Sequence, residues 1–195
     1  MAAMRSDLPG SDVLARAVQD ALDEVALLNE ASPTVSWTPI GGWTNAICEA
    51  ISKRVRVMKA GIECAFGRDR EKRADEREWL FDYCALFFEE KSREVRRFVA
   101  QALIIGEVEF SDINGLDTDF EKLLIVDSLV CFFAFPGWLK DNVDKTLDDL
   151  EKIAKRRQQY AIDRGINRPP IFVLSCYFFP EKQFIHRVVD MVPAV

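Results

Sequence analysis

A mixed α/β sheet flanked by helices is the fold this sequence predicts, an antiparallel meander giving way to parallel strands. Three observations predict it. Apolar runs of strand length recur at 62–66, 79–88, 102–110, 129–135 and 171–178. The first three follow one another without an obvious helix between them, which suits antiparallel pairing, whereas the later ones alternate with amphipathic stretches, which suits parallel crossovers. Several of these runs are apolar on both faces, as strands covered on both sides are.

The elements follow in order. Ser11 is placed to cap a helix from Asp12 to about Leu28, in which Leu14, Val18, Leu22 and Val25 recur at helical spacing. Ala31-Ser-Pro-Thr34 ends it, and the segment through Trp37, Pro39, Gly41 and Gly42 is irregular. Residues 1–40 are therefore expected as an N-terminal helix with its linker, and 41–195 as the α/β domain. A second helix from Thr44 to about Lys59 puts Ile47, Ile51, Val55 and Met58 on one stripe, and Gly61 stops it. Ile62 to Phe66 reads as a short strand. The next segment, Gly67 to Arg77, mixes both charge signs and reads as a solvated loop or exposed helix. Trp79 to Phe88 is the second strand, and the third reaches Phe110 from a start that is open, because Ser92 to Ala102 also tolerates a helix. After a loop at Ser111 to Leu116, Asp117 caps a helix from Thr118 to about Asp127, with acids at the end where the helix dipole favours them. Leu129 to Phe135 is an uncharged, buried-type strand closed by Pro136-Gly137. Asp141 to Asp163 is a long amphipathic helix, Ile171 to Phe178 a strand, and Phe184 to Val192 an edge pairing.

Composition narrows the function classes. The 195 residues suit one domain, and the net charge of -6 repels nucleic acid in bulk, so contact with DNA requires a local basic patch. Lys53, Arg68, Arg70 and Arg96 are the candidates for its rim. No apolar run approaches the length of a membrane span, and Met1 to Gly10 lacks a signal-peptide core, so a cytoplasmic protein without a membrane partner is expected. The five cysteines form no close pair and lie in apolar surroundings, as buried reduced thiols do. One histidine, His186, leaves little scope for a serine-type triad or a histidine-rich metal site and is expected to be structural or exposed. Catalysis, if present, falls to carboxylates and lysine.

The acids in apolar strands are the strongest local signal. The run Ala102 to Phe110 ends in Glu107 and Glu109, which share a face in a regular strand, together with Leu103 and Ile105. Asp82 interrupts the second strand on the face of Leu80, Cys84 and Leu86. Desolvating a carboxylate is costly, and a divalent cation or a basic partner relieves that cost. The plainer reading is that Glu107 and Glu109 leave the core where water reaches them. On the same reading, Asp82 pairs with backbone or with an arginine such as Arg77, and Lys122 and Glu49 are solvated helix residues.

This order of elements, with an acid in the second strand and Glu-x-Glu ending the third, resembles the restriction-endonuclease-like superfamily, the PD-(D/E)xK nucleases. The segment Gly106 to Phe110 followed by Asp119-Phe-Glu-Lys-Leu-Leu124 is similar to a pattern in uncharacterised bacterial proteins of that class. The resemblance covers about Thr44 to Phe178. Asp82 matches the family's strand Asp, and Glu107 the acid of its second motif. Glu109 stands at the place of its Lys, and Glu49 is the candidate for its helix acid. The chain departs from the pattern in having no Lys at 109 and no Pro before Asp82; Lys122 is the candidate for a lysine migrated to the adjacent helix.

The resemblance implies metal-dependent hydrolysis of phosphodiester bonds in DNA, in defence or repair. Asp82, Glu107 and the carbonyl of Val108 are the implied ligands of Mg2+ or Mn2+. Glu109 or Lys122 is implied to act on the attacking water, Lys122 alternatively on the phosphoryl oxygens, and Glu49 in support. Dimerisation is common in that superfamily, and the N-terminal helix is one candidate interface. The alternative is a non-catalytic binding or scaffolding protein that keeps the nuclease-like fold, its site blocked by neighbouring side chains or by the N-terminal helix.

Overall fold

The computed structural model describes residues 8–31, 42–66, 81–89, 98–110 and 116–191. A single six-stranded sheet in the order β1-β2-β3-β4-β5-β6 organises the chain. The strands are β1 (Ile62–Phe66), β2 (Tyr83–Glu89), β3 (Phe98–Val108), β4 (Val130–Gly137), β5 (Ile171–Phe178) and β6 (Gln183–Val189). β1, β2 and β3 form an antiparallel meander, β3, β4 and β5 run parallel, and β6 returns antiparallel at the edge. The expected change from meander to parallel crossovers therefore occurs, at β3.

The parallel steps need crossovers, and helices α3 (Leu116–Leu124) and α4 (Lys140–Asp163) supply them. Both lie over the face of the sheet that carries Cys84, Ile105, Phe133, Phe172 and Leu174. Helices α1 (Ser11–Ala31) and α2 (Gly42–Arg56) cover the other face, which carries Tyr83, Ile104, Phe132 and Val173. The uncharged strands β4 and β5 are covered on both sides, as their sequence demands. Helix α1, expected as an appendage, is instead one wall of this core. Its Leu14, Val18 and Leu22 are fully buried, each burial contributing on the order of 2 kcal/mol. Among the described residues, no helix is long and apolar enough to cross a membrane.

β3 departs from the regular strand expected. Ala85 pairs with Ile104 but Leu86 with Ala102, so Leu103 is an extra residue, and the shift from Phe87–Gln101 to Phe88–Val99 leaves out Ala100. Each is a β-bulge, which reverses the alternation of faces beyond it. Leu103 therefore packs on the α1/α2 side with Ile104, not beside Ile105 and Glu107 as strict alternation requires. The strand also ends at Val108, leaving Glu109 just past it, and β2 begins at Tyr83, leaving Asp82 just before it. Residues 98–102 are strand rather than helix. The charged segment 67–77, Trp79 and Leu80 of the second strand, and the loop residues 111–115 lie outside the described residues.

Candidate active site

Register brings Asp82 and Glu107 together. Tyr83 pairs with Gly106, so the next step out of the antiparallel ladder sets Asp82 across from Glu107. The ladder is capped there by a side chain, since the backbone N–H of Val108 donates to Asp82 Oδ2 at 2.9 Å. On the other side of the strand Gly106 makes room for an aromatic ring. A Cβ on Gly106 would lie 1.9 Å from Cε1 of the fully buried Phe132. Gly106 thus lets β3 lie flat against β4 at the position where its next side chain must face the opposite layer.

Glu107 is 3% exposed. It shares a hydrogen bond with Asp82. Its Oε1, like Ser52 Oγ, Arg54 Nε and Gln158 Oε1, is buried with no hydrogen bond within 3.5 Å, and its nearest cation is the Lys122 ammonium at 3.6 Å. Burial, and then the Asp82 charge, push the Glu107 carboxyl up to about 8. Burial also raises Asp82, against the pull of the Val108 N–H and the hydrogen bond from Glu107.

Lys122 reaches the same spot from α3. Its Nζ lies 3.6 Å from Glu107 Oε1 and 2.7 Å from Asp119 Oδ1. Although burial alone lowers it, Asp119 and Glu107 leave its ammonium more firmly protonated than an ordinary lysine. The structure thus brings together three residues singled out in the sequence, Asp82, Glu107 and Lys122, with a fourth, Asp119. Sequence reasoning missed Asp119, whose signal was an acid one helical turn before the lysine.

Of the remaining candidates, Val108 touches this group through its hydrogen bond to Asp82. Glu109 is half-buried past the end of β3, and its N–H extends the ladder to the Ala134 carbonyl. The charges that dominate the surroundings of Glu107 are Asp82, Lys122 and Asp119 rather than Glu109. Glu49 is exposed on α2, the helix layer across the sheet from α3. Its neighbour Cys48 makes the contact on this side, donating its thiol to the Asp82 carbonyl at 3.8 Å. Among the described residues, no set of three or more His, Cys, Asp or Glu side chains is placed to hold a metal ion. Of the expected basic rim, Lys53 lies 3.9 Å from Glu24 on α1. Arg68, Arg70 and Arg96 lie outside the described residues, as does Arg77.

A second polar chain crosses the other face. Ser175 Oγ lies 2.8 Å from His186 Nδ1, and His186 Nε2 lies 3.1 Å from Asp23 Oδ1. The order Ser, His, Asp is that of a hydrolytic triad, but Ser175 is 0% exposed and no substrate reaches it. His186 instead ties edge strand β6 to β5 and α1. A hollow of about 560 Å³ beside it is lined by Asp20, Asp23, Leu27 and Leu28 of α1 and by Arg54 of α2, on the side away from Glu107. Comparison with protein-family models, with curated proteins and with solved structures finds no match for this chain.

Proposed function

We propose that the protein is a divalent-metal-dependent nuclease that hydrolyses phosphodiester bonds in DNA, in the manner of the restriction-endonuclease-like enzymes. The observation that carries this reading is Glu107 Oε1, an acidic oxygen in the core with no hydrogen-bond partner and an ammonium 3.6 Å away. Such an atom is costly to bury, and a cation offsets the cost.

A small hard dication would have two carboxyl groups here and no third acidic, Cys or His side chain among the described residues. Asp82 and Glu107 offer the two carboxyl groups side by side. Magnesium is commonly bound by one or two carboxylates, with waters and substrate phosphate completing its shell. Asp82 and Glu107 would hold it, with the Val108 carbonyl as a third oxygen. Bound there, Mg2+ or Mn2+ supplies a Lewis acid for a phosphoryl oxygen and an acidified water. The chain's own residues do the rest. The Val108 N–H holds Asp82 in its rotamer. Lys122 Nζ sets a positive charge beside the same oxygens, where it stabilises charge developing on the phosphate. Glu109, just past the end of β3, or Lys122 would act on the attacking water. Glu49 has only a distant supporting role, from the opposite layer.

One observation favours the second reading, a non-catalytic binding protein on the same fold: Glu107 is only 3% exposed, as in a site closed by its neighbours. One assay separates the two. Supercoiled plasmid and single-stranded DNA are incubated with Mg2+ or Mn2+ and either wild type or Glu107→Ala. Metal-dependent nicking that falls at least about 100-fold in the variant is the expected outcome. If wild type cuts neither substrate with either metal, the binding reading replaces the nuclease.

A further inference from the structure

Helix α4 and the turn after it carry a concentration of positive charge that the usual local causes do not account for. Residues 152–168 hold six cations, Lys152, Lys155, Arg156, Arg157, Arg164 and Arg168, against the single acid Asp163, in a chain whose net charge is -6. The helix dipole favours cations only near the last turn, and the last turn of α4 has none. Pairing within the helix accounts for two, since Lys152 lies 2.9 Å from Asp149 and Lys155 2.6 Å from Glu151. Arg157 donates instead to the Leu124 carbonyl at the end of α3. Arg156, Arg164 and Arg168 are exposed, and no carboxylate among the described residues pairs with them. An aromatic ring is interleaved with these charges. Lys152, Arg156, Tyr160 and Arg164 recur every four residues and so share one side of the helix. Tyr160 is 55% exposed, and Arg164 lies over its ring at 5.3 Å and donates to its hydroxyl.

We propose that this outer stripe of α4 docks single-stranded nucleic acid, with Arg156, Arg164 and Arg168 on phosphates and Tyr160 under an unpaired base. A basic helix that binds a bilayer does so by inserting its apolar face. Here that face, with Val143, Leu147, Leu150 and Ala154, is buried against the sheet, so only charge and a ring are left outward. Cations spaced along a line suit the repeating charge of a nucleic-acid backbone, and an exposed aromatic among them suits a base that is not already stacked in a duplex. The inference goes beyond the metal-site reading and stands without it, because docking needs neither a metal ion nor cleavage. Arg157 joins the stripe to α3 at Leu124, two residues beyond Lys122, so a strand held on α4 lies over the same face of the sheet as the acidic group.

Fluorescence anisotropy of a labelled oligothymidine of about 16 nucleotides tests this on the full-length chain, with EDTA present so that no metal takes part. Wild type is expected to bind, and less tightly as salt rises. The triple variant Arg156→Gln, Arg164→Gln, Arg168→Gln is expected to lose about tenfold or more in affinity and to flatten the log–log salt slope by about 2, roughly 0.7 for each cation. Tyr160→Ala is expected to lose about tenfold at an unchanged slope, the effect of one base stack, and to bind a duplex as wild type does. Lys140→Gln, which removes a half-exposed cation at the other end of α4, is expected to bind like wild type. A triple variant that binds like wild type overturns the inference. So does an equal loss in Lys140→Gln, which would mean diffuse charge rather than a stripe. Wild type that holds phosphatidylserine vesicles but not the oligonucleotide overturns it in favour of a membrane surface, and no binding to the oligonucleotide even at low salt overturns it as well. The plasmid assay judges the nuclease reading separately. Binding through the stripe without cutting leaves the stripe and removes the nuclease, whereas cutting that the triple variant retains in full, with unchanged binding, does the reverse.

Discussion

Two polar groups cross the apolar core, one on each face of the sheet, and they differ in completeness. In the Ser175–His186–Asp23 chain both ring nitrogens of the histidine have partners, and the chain ends in water at Asp23, 55% exposed. In the Asp82–Glu107–Lys122–Asp119 group one carboxylate oxygen is buried with no hydrogen bond. A polar network kept only for the fold tends to satisfy all its members, because each unpaired atom costs stability. The face over α1 carries the closed network and the face over α3 the open one. That contrast, more than the identity of the acids, is what supports the metal-site reading proposed for the α3 side.

The comparison can be broken at the strand both faces depend on. Gly106→Ala pushes a methyl into the Phe132 ring while Glu107 holds the opposite face. It should cost about 3 kcal/mol, read as a lowered urea midpoint with an unchanged slope. A variant as stable as wild type would mean that β3 shifts easily at the acids.

The open network should also declare itself through pH. Glu107 goes from an ordinary 4.5 to about 8 on folding, so the folded metal-free protein retains a proton that the unfolded chain releases. Its contribution is fully present below pH 4.5 and is lost as pH rises towards 8. Glu107→Gln, which cannot ionise, should therefore be more stable than wild type at pH 9 by about 1–3 kcal/mol and nearly equal to it at pH 4. Mg2+ should stabilise wild type at the higher pH and leave the variant unchanged. Parallel stability curves for the two proteins across this range would remove the case for an unsatisfied acid.

The closed network predicts smaller effects. Ser175→Ala should cost about 1 kcal/mol, one buried hydrogen bond, and leave the outcome of the proposed plasmid assay as in wild type. Asp23→Asn, at the solvent end, should change stability by less than about 0.5 kcal/mol. Loss of cleavage in Ser175→Ala would join the two networks into one site.

The sequence disclosed the strands with most certainty where they carry no charge. β5 spans Ile171–Phe178, the limits its apolar run indicates. It disclosed Asp82 and Glu107 for the same reason: an acid inside an apolar run is visible without knowing its partner. What it hid depends on neighbours. A bulge at Leu103 leaves no local mark, since Leu fits either face, and so the parity of β3 was misread upstream of Ile104. Glu49 has the spacing of a helix acid, but only the packing shows that α2 covers the other side of the sheet. Asp119 lay in plain view beside Lys122, yet an acid in a first helical turn is so often explained by the helix dipole that it points to nothing else.

The contact between Asp23 and His186 joins residues 163 positions apart, and Asn29 donates to the Tyr177 hydroxyl over 148. During synthesis α1 is made long before β5 and β6, which supply much of the surface it covers. At ribosomal rates of about 5–20 residues per second, that interval is about 10–30 s. Through it α1 can pack against α2, and then β3 and β4, but lacks the two strands that complete the surface it covers. Vectorial folding therefore runs towards α1 rather than away from it, and the step that docks it is the one most exposed to aggregation and to capture by chaperones.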